Sequence, residues 1–121
     1  MATLFLLLVL SALALAESAP PERRVRLARS RSALLLCTTY TDLFDAAARR
    51  RLDGGFWNQV VTRIAVHRVG QDRPVSLAAR TCRVRYEVWE EHYEVQIQDH
   101  VGRTSRRVDD RAEAIRLCTT L

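Results

Sequence analysis

The alternation between Cys82 and Gln98 constrains this chain more than any other feature. The segment reads CRVRYEVWEEHYEVQIQ, with Cys82, Val84, Tyr86 and Val88 on even positions and Tyr93, Val95 and Ile97 on odd ones. Successive side chains of a strand point to opposite faces, so each run is apolar on one face and polar on the other. For both apolar sets to share one sheet face, opposed residues must have numbers that sum to an odd value. The tightest solution pairs Val88 with Tyr93, Tyr86 with Val95 and Val84 with Ile97, leaving Glu90-Glu91 at the tip. A four-residue loop from Trp89 to His92 serves equally well, because the tip lacks the Asn-Gly that tight hairpins favour. A one-residue slip would set Tyr and Val against Glu and Gln, and is excluded.

Strand signals recur on both sides of this hairpin. Val25 and Leu27 alternate with arginines, a polar turn follows at Ser30-Arg31-Ser32, and residues 33–41 are rich in strand formers. From Asn58, Val60, Thr62, Ile64 and Val66 share one face, and residues 70–74 read as a turn. The next strand runs from Val75 to Trp89, long enough to predict a bulge near Ala78-Ala79-Arg80.

Two segments change to helical period. Residues 45–53 combine an Asp cap, a run of alanines, three late arginines and Gly54-Gly55 after the end; Phe44, Ala48 and Leu52 form the apolar side. After Val108-Asp109-Asp110, a second helix presents Ala112, Ile115 and Leu117 or Cys118 to the core. The expected fold is mainly β (α+β): a single antiparallel domain of about six strands over residues 25–121, with a short internal helix and a C-terminal one.

Residues 2–16 are uncharged and mostly apolar, ending in Ala14-Leu15-Ala16. Fifteen helical residues span about 22 Å, short of a hydrocarbon core of about 30 Å. Residues 1–16 therefore read as a cleaved signal peptide, and residues 17–24 as a linker. The expected location is exported, periplasmic or secreted. Arg23, Arg24, Arg26, Arg29 and Arg31 follow the apolar run and no Lys or Arg precedes it, which supports the alternative of an inner-membrane anchor at residues 2–16.

Cys37, Cys82 and Cys118 allow three single bridges and always leave one thiol over. Cys82 lies on the inward set of its strand and Cys118 on the helix side that meets the sheet, so Cys82–Cys118 is the preferred pair. Three buried apolar thiols are the plain alternative.

The stretch carried by Arg80, Cys82, Arg83, Val84, Tyr86, Trp89, Glu91, Tyr93 and Val95, with Leu52 and Gly54-Gly55 before it and Gly102 and Glu113-Ala114-Ile115 after it, resembles a family of exported bacterial proteins known as domain of unknown function 4390. The resemblance spans roughly residues 25–121. It implies a single β-rich domain behind a signal peptide or short anchor, and it carries over no catalytic residue.

Glu87, Glu90, His92 and Glu94 form the one dense cluster of acids and imidazole. In the expected register Glu87 faces Glu94, and two close carboxylates would raise one pKa and act as an acid/base pair; with His92 they could also ligate a metal. The plain reading is a solvated strand surface whose charge Arg83 and Arg85 offset. No GxSxG elbow, paired CxxC, HExxH or Gly-rich phosphate loop occurs.

All nineteen basic residues are arginine. Fourteen fall in residues 17–86 against six acids, and five in residues 87–121 against eight. Arg49-Arg50-Arg51 is the densest run and a candidate anion site, although consecutive helical residues fan out by about 100°. Tyr40, Phe56 and Trp57 are not interleaved with it, so nucleic acid is not an expected partner. The reading is a non-enzymatic envelope protein that binds another protein or an anionic envelope component, needs no cofactor, and meets the membrane only through an uncleaved leader. The alternative is a small hydrolase or metal-dependent enzyme built on Glu87, Glu90, His92 and Glu94.

Overall fold

The computed structural model describes residues 21–121. The expected signal peptide, and residues 17–20 of the expected linker, lie outside these. Strands β1 (Val25–Arg29) and β2 (Leu34–Thr38) form a two-stranded antiparallel ribbon. A single 3-10 turn (Thr41–Leu43) leads to helix α1 (Ala46–Asp53). Then β3 (Asn58–His67), β4 (Pro74–Glu87), β5 (His92–Gln98) and β6 (Arg103–Val108) form an antiparallel four-stranded sheet in chain order, and α2 (Arg111–Thr119) closes the described chain. The mainly β architecture read from the alternation is what the chain adopts. None of these helices is long and apolar enough to cross a membrane.

Both helices lie on one face of the sheet. Cys82 and Val84 from β4, Tyr93 and Val95 from β5, Ala48 and Leu52 from α1, and Ala114, Ile115 and Cys118 from α2 form one buried cluster closed by Phe44. Leu52, Val84 and Val95 have no exposed surface, and burying side chains of this size stabilises by about 1.5–3 kcal/mol each.

Capping sets the helix boundaries. The Asp45 carboxylate accepts from the Ala48 amide, and Asp110 does the same for Glu113. At the end of α1, Gly55 adopts φ +80°; its amide donates to Leu52 and that of Phe56 to Arg51, a Schellman stop. A side chain on Gly55 would also press on the Tyr86 carbonyl at 3.3 Å, so glycine is needed twice over.

Several expectations are corrected. The β4–β5 hairpin keeps the expected parity but shifts by two residues: Tyr86 opposes Tyr93, Val84 opposes Val95, and Cys82 opposes Ile97. The tight turn would have needed positive φ at both Glu90 and Glu91. The four-residue loop Val88–Glu91 requires it only at Glu91, with φ 53°. The shift also replaces a Glu87–Glu94 opposition with His92 against Glu87 and with Arg85 against Glu94, an opposite-charge pair that is favourable where like charges are not.

The bulge near Ala78–Arg80 is absent. That stretch pairs regularly with β3, and the register shifts instead between Val66 and His67, leaving Val75 as the extra residue. Pro74 lacks an amide donor and starts the strand, so the irregularity falls beside the turn. In α2, Ala114 is buried where Ala112 was expected, because Ala114 sits one turn before Cys118, whose bridge to Cys82 sets the helix rotation. Cys37 is exposed on β2, not buried as the alternative of three apolar thiols requires, since the ribbon it belongs to has no covering layer.

The ribbon is tied to the body at one end by backbone hydrogen bonds, with the Arg23–Asp42 ion pair at 2.8 Å beside them. The Thr38 and Leu121 main chains exchange hydrogen bonds, and the Tyr40 amide donates to Thr119. At one end of the sheet β3 and β4 outrun their neighbours: β5 pairs with β4 only from Thr81 to Glu87, and residues 74–79 are exposed on both faces. Arg80 marks the junction. Its guanidinium donates to the Leu117 carbonyl at 3.0 Å and also to that of Thr120, capping the carbonyl end of α2.

Candidate functional site

The face of the sheet turned away from the helices carries the odd residues of β4 and the even residues of β5. Alternation therefore brings Glu87, His92 and Glu94 to one side, and the tip residue Glu90 folds over them. They border a shallow depression of about 350 Å³, with Arg85 and Arg107 on its walls. The four residues picked out by the sequence are thus brought together.

Their side chains contact one another and two arginines. Arg85 donates to Glu94 through Nε at 3.1 Å and Nη2 at 3.0 Å, and its Nη2 also lies 3.1 Å from Glu87. Gln96 donates to the other Glu94 oxygen at 2.8 Å. Glu90 lies 3.4 Å from an Arg107 nitrogen and 3.5 Å from Nδ1 of His92. The Gln96 amide and the Arg85 guanidinium hold the Glu94 carboxyl below its ordinary range, against the opposing effect of burial. Glu94 is therefore held as a carboxylate and is a poor proton donor.

Arg85 and Arg83 both stack on Trp57, each with its guanidinium carbon 4.7 Å from the ring. The cluster thus continues as a chain of contacts from Trp57 through Arg85 to Glu94 and Glu87. Trp57 and Gln96 were missed in the sequence. Gln96 shares the face of Glu94 two residues on, a relation the alternation does show. Trp57 stands outside any strand, so only the fold reveals its place. Arg107 depends on the β5–β6 register, in which it opposes Glu94.

Among the described residues no group of three or more His, Cys, Asp or Glu side chains is placed to hold a metal ion. No buried side-chain nitrogen or oxygen among them lacks a hydrogen-bond partner.

The arginine run does not converge. Arg49 turns back, its Nε donating to the Phe44 carbonyl at 2.9 Å. Arg50 and Arg51 are exposed, and only Arg51 borders a hollow, the one between α1 and β3. Cys82 and Cys118 are bridged, with Cα atoms 5.2 Å apart. On the helical side, Tyr93 donates to Asp53 at 3.3 Å and Arg111 reaches the same carboxylate at 2.8 Å, joining β5, α1 and α2. Burial, then the adjacent Asp53 charge, pushes the Tyr93 phenol up.

No family model matches the chain, and no curated protein or solved structure is significantly similar to it.

Proposed function

We propose that this protein is an exported, non-enzymatic binding module of the bacterial cell envelope, acting on another protein or an anionic envelope component. The observation that carries the reading is the saturation of the acid–imidazole cluster. A hydrolase working through paired carboxylates needs one held protonated and one free. Here Arg85 pairs with Glu87 and Glu94 together, and Glu94 is stabilised in its ionised form. Such a cluster suits a static, ion-paired strand surface better than proton transfer.

Export is supported by the uncharged segment 2–16 and by the Cys82–Cys118 bridge, since disulfides persist in oxidising compartments. The resemblance to domain of unknown function 4390 points the same way and supplies no activity. The test is complementation of a deletion strain with the Glu90→Ala/His92→Ala/Glu94→Ala variant, its fold verified by circular dichroism. Retained function supports the binding reading. Loss of function in the folded triple variant, repeated by Glu90→Gln alone, overturns it in favour of an enzyme.

A further inference from the structure

The sheet has an open edge at β3, which pairs with β4 on one side and with no other strand among the described residues. Beside it lies a hollow of about 470 Å³. Five consecutive residues, Trp57 to Val61, border this hollow. Side chains on a strand alternate between faces, so a space that touches every one of five successive residues lies alongside the backbone and not over either face. The opposite wall is apolar: Phe44 and Ala48 are core residues, and Leu43 is partly exposed. The space is therefore bounded by unpaired main-chain groups on one side and by hydrocarbon on the other.

Charge around the groove has one sign. Arg51 stands on its rim and Arg63 projects from the same strand farther along; both are exposed, and neither is in an ion pair among the described residues. No carboxylate borders the groove. β3 itself carries Arg63 and no acid, so a second copy of β3 offers that guanidinium no opposite charge.

We infer that the β3 edge and its groove take an extended, acidic peptide segment of a partner protein, added antiparallel or parallel to β3 as a fifth strand. Main-chain hydrogen bonds to β3 hold the segment, alternate apolar side chains enter the groove against Phe44, Ala48 and Val60, and the intervening acidic side chains meet Arg63, with Arg51 at the groove's rim. The inference rests on the reading of the chain as a binding module and names the class of partner. The two fail separately: loss of function in the folded cluster variant sinks the module, whatever a peptide does at β3.

The test uses the protein with a fluorescein-labelled peptide, Thr-Val-Glu-Val-Glu-Val-Thr, in a polarisation titration at low salt. The expected result is saturable binding, weakened about tenfold by Arg63→Glu, and by a further severalfold when Arg51→Glu is added. Arg68→Glu, in the turn beyond the strand, should leave it unchanged. N-methylation at alternate amides should abolish binding in one frame and spare it in the other, because only alternate amides of an added strand face β3. Amide exchange with the peptide bound should slow along β3. The inference is overturned by absence of saturable binding, by equal tolerance of both methylation frames, by protection on β6 or the ribbon instead, or by a dimer whose protection falls on β3 without peptide.

Discussion

Opening the Cys82–Cys118 bridge should remove a large part of the stability of this domain. The bridged residues are 36 apart in sequence, and the loop-closure expression for a crosslink of that span gives about 4 kcal/mol of stabilisation at 25 °C. Domains of this size have a total stability of about 5–15 kcal/mol, so the bridge accounts for a substantial share. For a domain of about 100 residues each kcal/mol moves Tm by roughly 4–8 °C, which places the reduced protein some 16 °C or more below the oxidised one. The assay is thermal unfolding followed by far-ultraviolet circular dichroism, with and without reductant, in a Cys37→Ser background that prevents exchange with the exposed third thiol. The Cys82→Ala/Cys118→Ala variant should melt lower still, because both sulfur atoms sit in the core. The mass of the oxidised protein should be smaller than that of the reduced one by two hydrogens. A reduced protein that melts within about 5 °C of the oxidised form would refute the reasoning.

Glu94 is held below its ordinary pKa, so its contribution is present above the unfolded carboxylate value and lost as pH falls through the folded one. The Glu94→Gln variant should accordingly lose less stability than the parent between neutral pH and strong acid, measured by urea unfolding at each pH; equal losses would contradict it. Arg85→Met releases two carboxylates at once and should destabilise by about 1–2 kcal/mol at neutral pH in the same assay. Glu91→Gly relieves a left-handed residue in the hairpin loop and should raise stability by about 0.5–1 kcal/mol, whereas Glu91→Val should lower it; the order of their urea midpoints decides. Asp45→Ala removes the cap of α1 and should destabilise by about 1 kcal/mol in urea unfolding, with Asp45→Asn recovering most of the loss.

The parts of the fold that follow from side-chain periodicity could be read without coordinates. Alternation through Val84, Tyr86, Tyr93 and Val95 allows only one buried face, and Asp45 and Asp110 mark helix starts by side chains that cap locally. Parity, however, is blind to slips of two. Both Val88–Tyr93 and Tyr86–Tyr93 registers bury the same set, and the choice depends on loop dihedrals and on whether Glu94 meets Glu87 or Arg85. That choice also decides which charges of the cluster meet, so alternation places Glu87, His92 and Glu94 on one face without giving their pairing. Trp57 and the β3 groove depend on the position of α1 beside an edge strand, a relation between segments that no local pattern encodes.

The arm formed by the outer parts of β3 and β4 has a consequence of its own. Its hydrogen-bond ladder continues well past Arg80, but the layer of side chains that resists unfolding stops there. Two strands without a third, or a helix, to cover them are marginal in water. The domain should therefore open in two stages, with amides near the 68–73 turn exchanging first and a boundary at Thr81, where β4 first pairs with β5. Limited digestion should cut within the arm while the two fragments stay associated through the core, which joins Phe44, Ala48 and Leu52 to β4, β5 and α2 on the other side of that boundary.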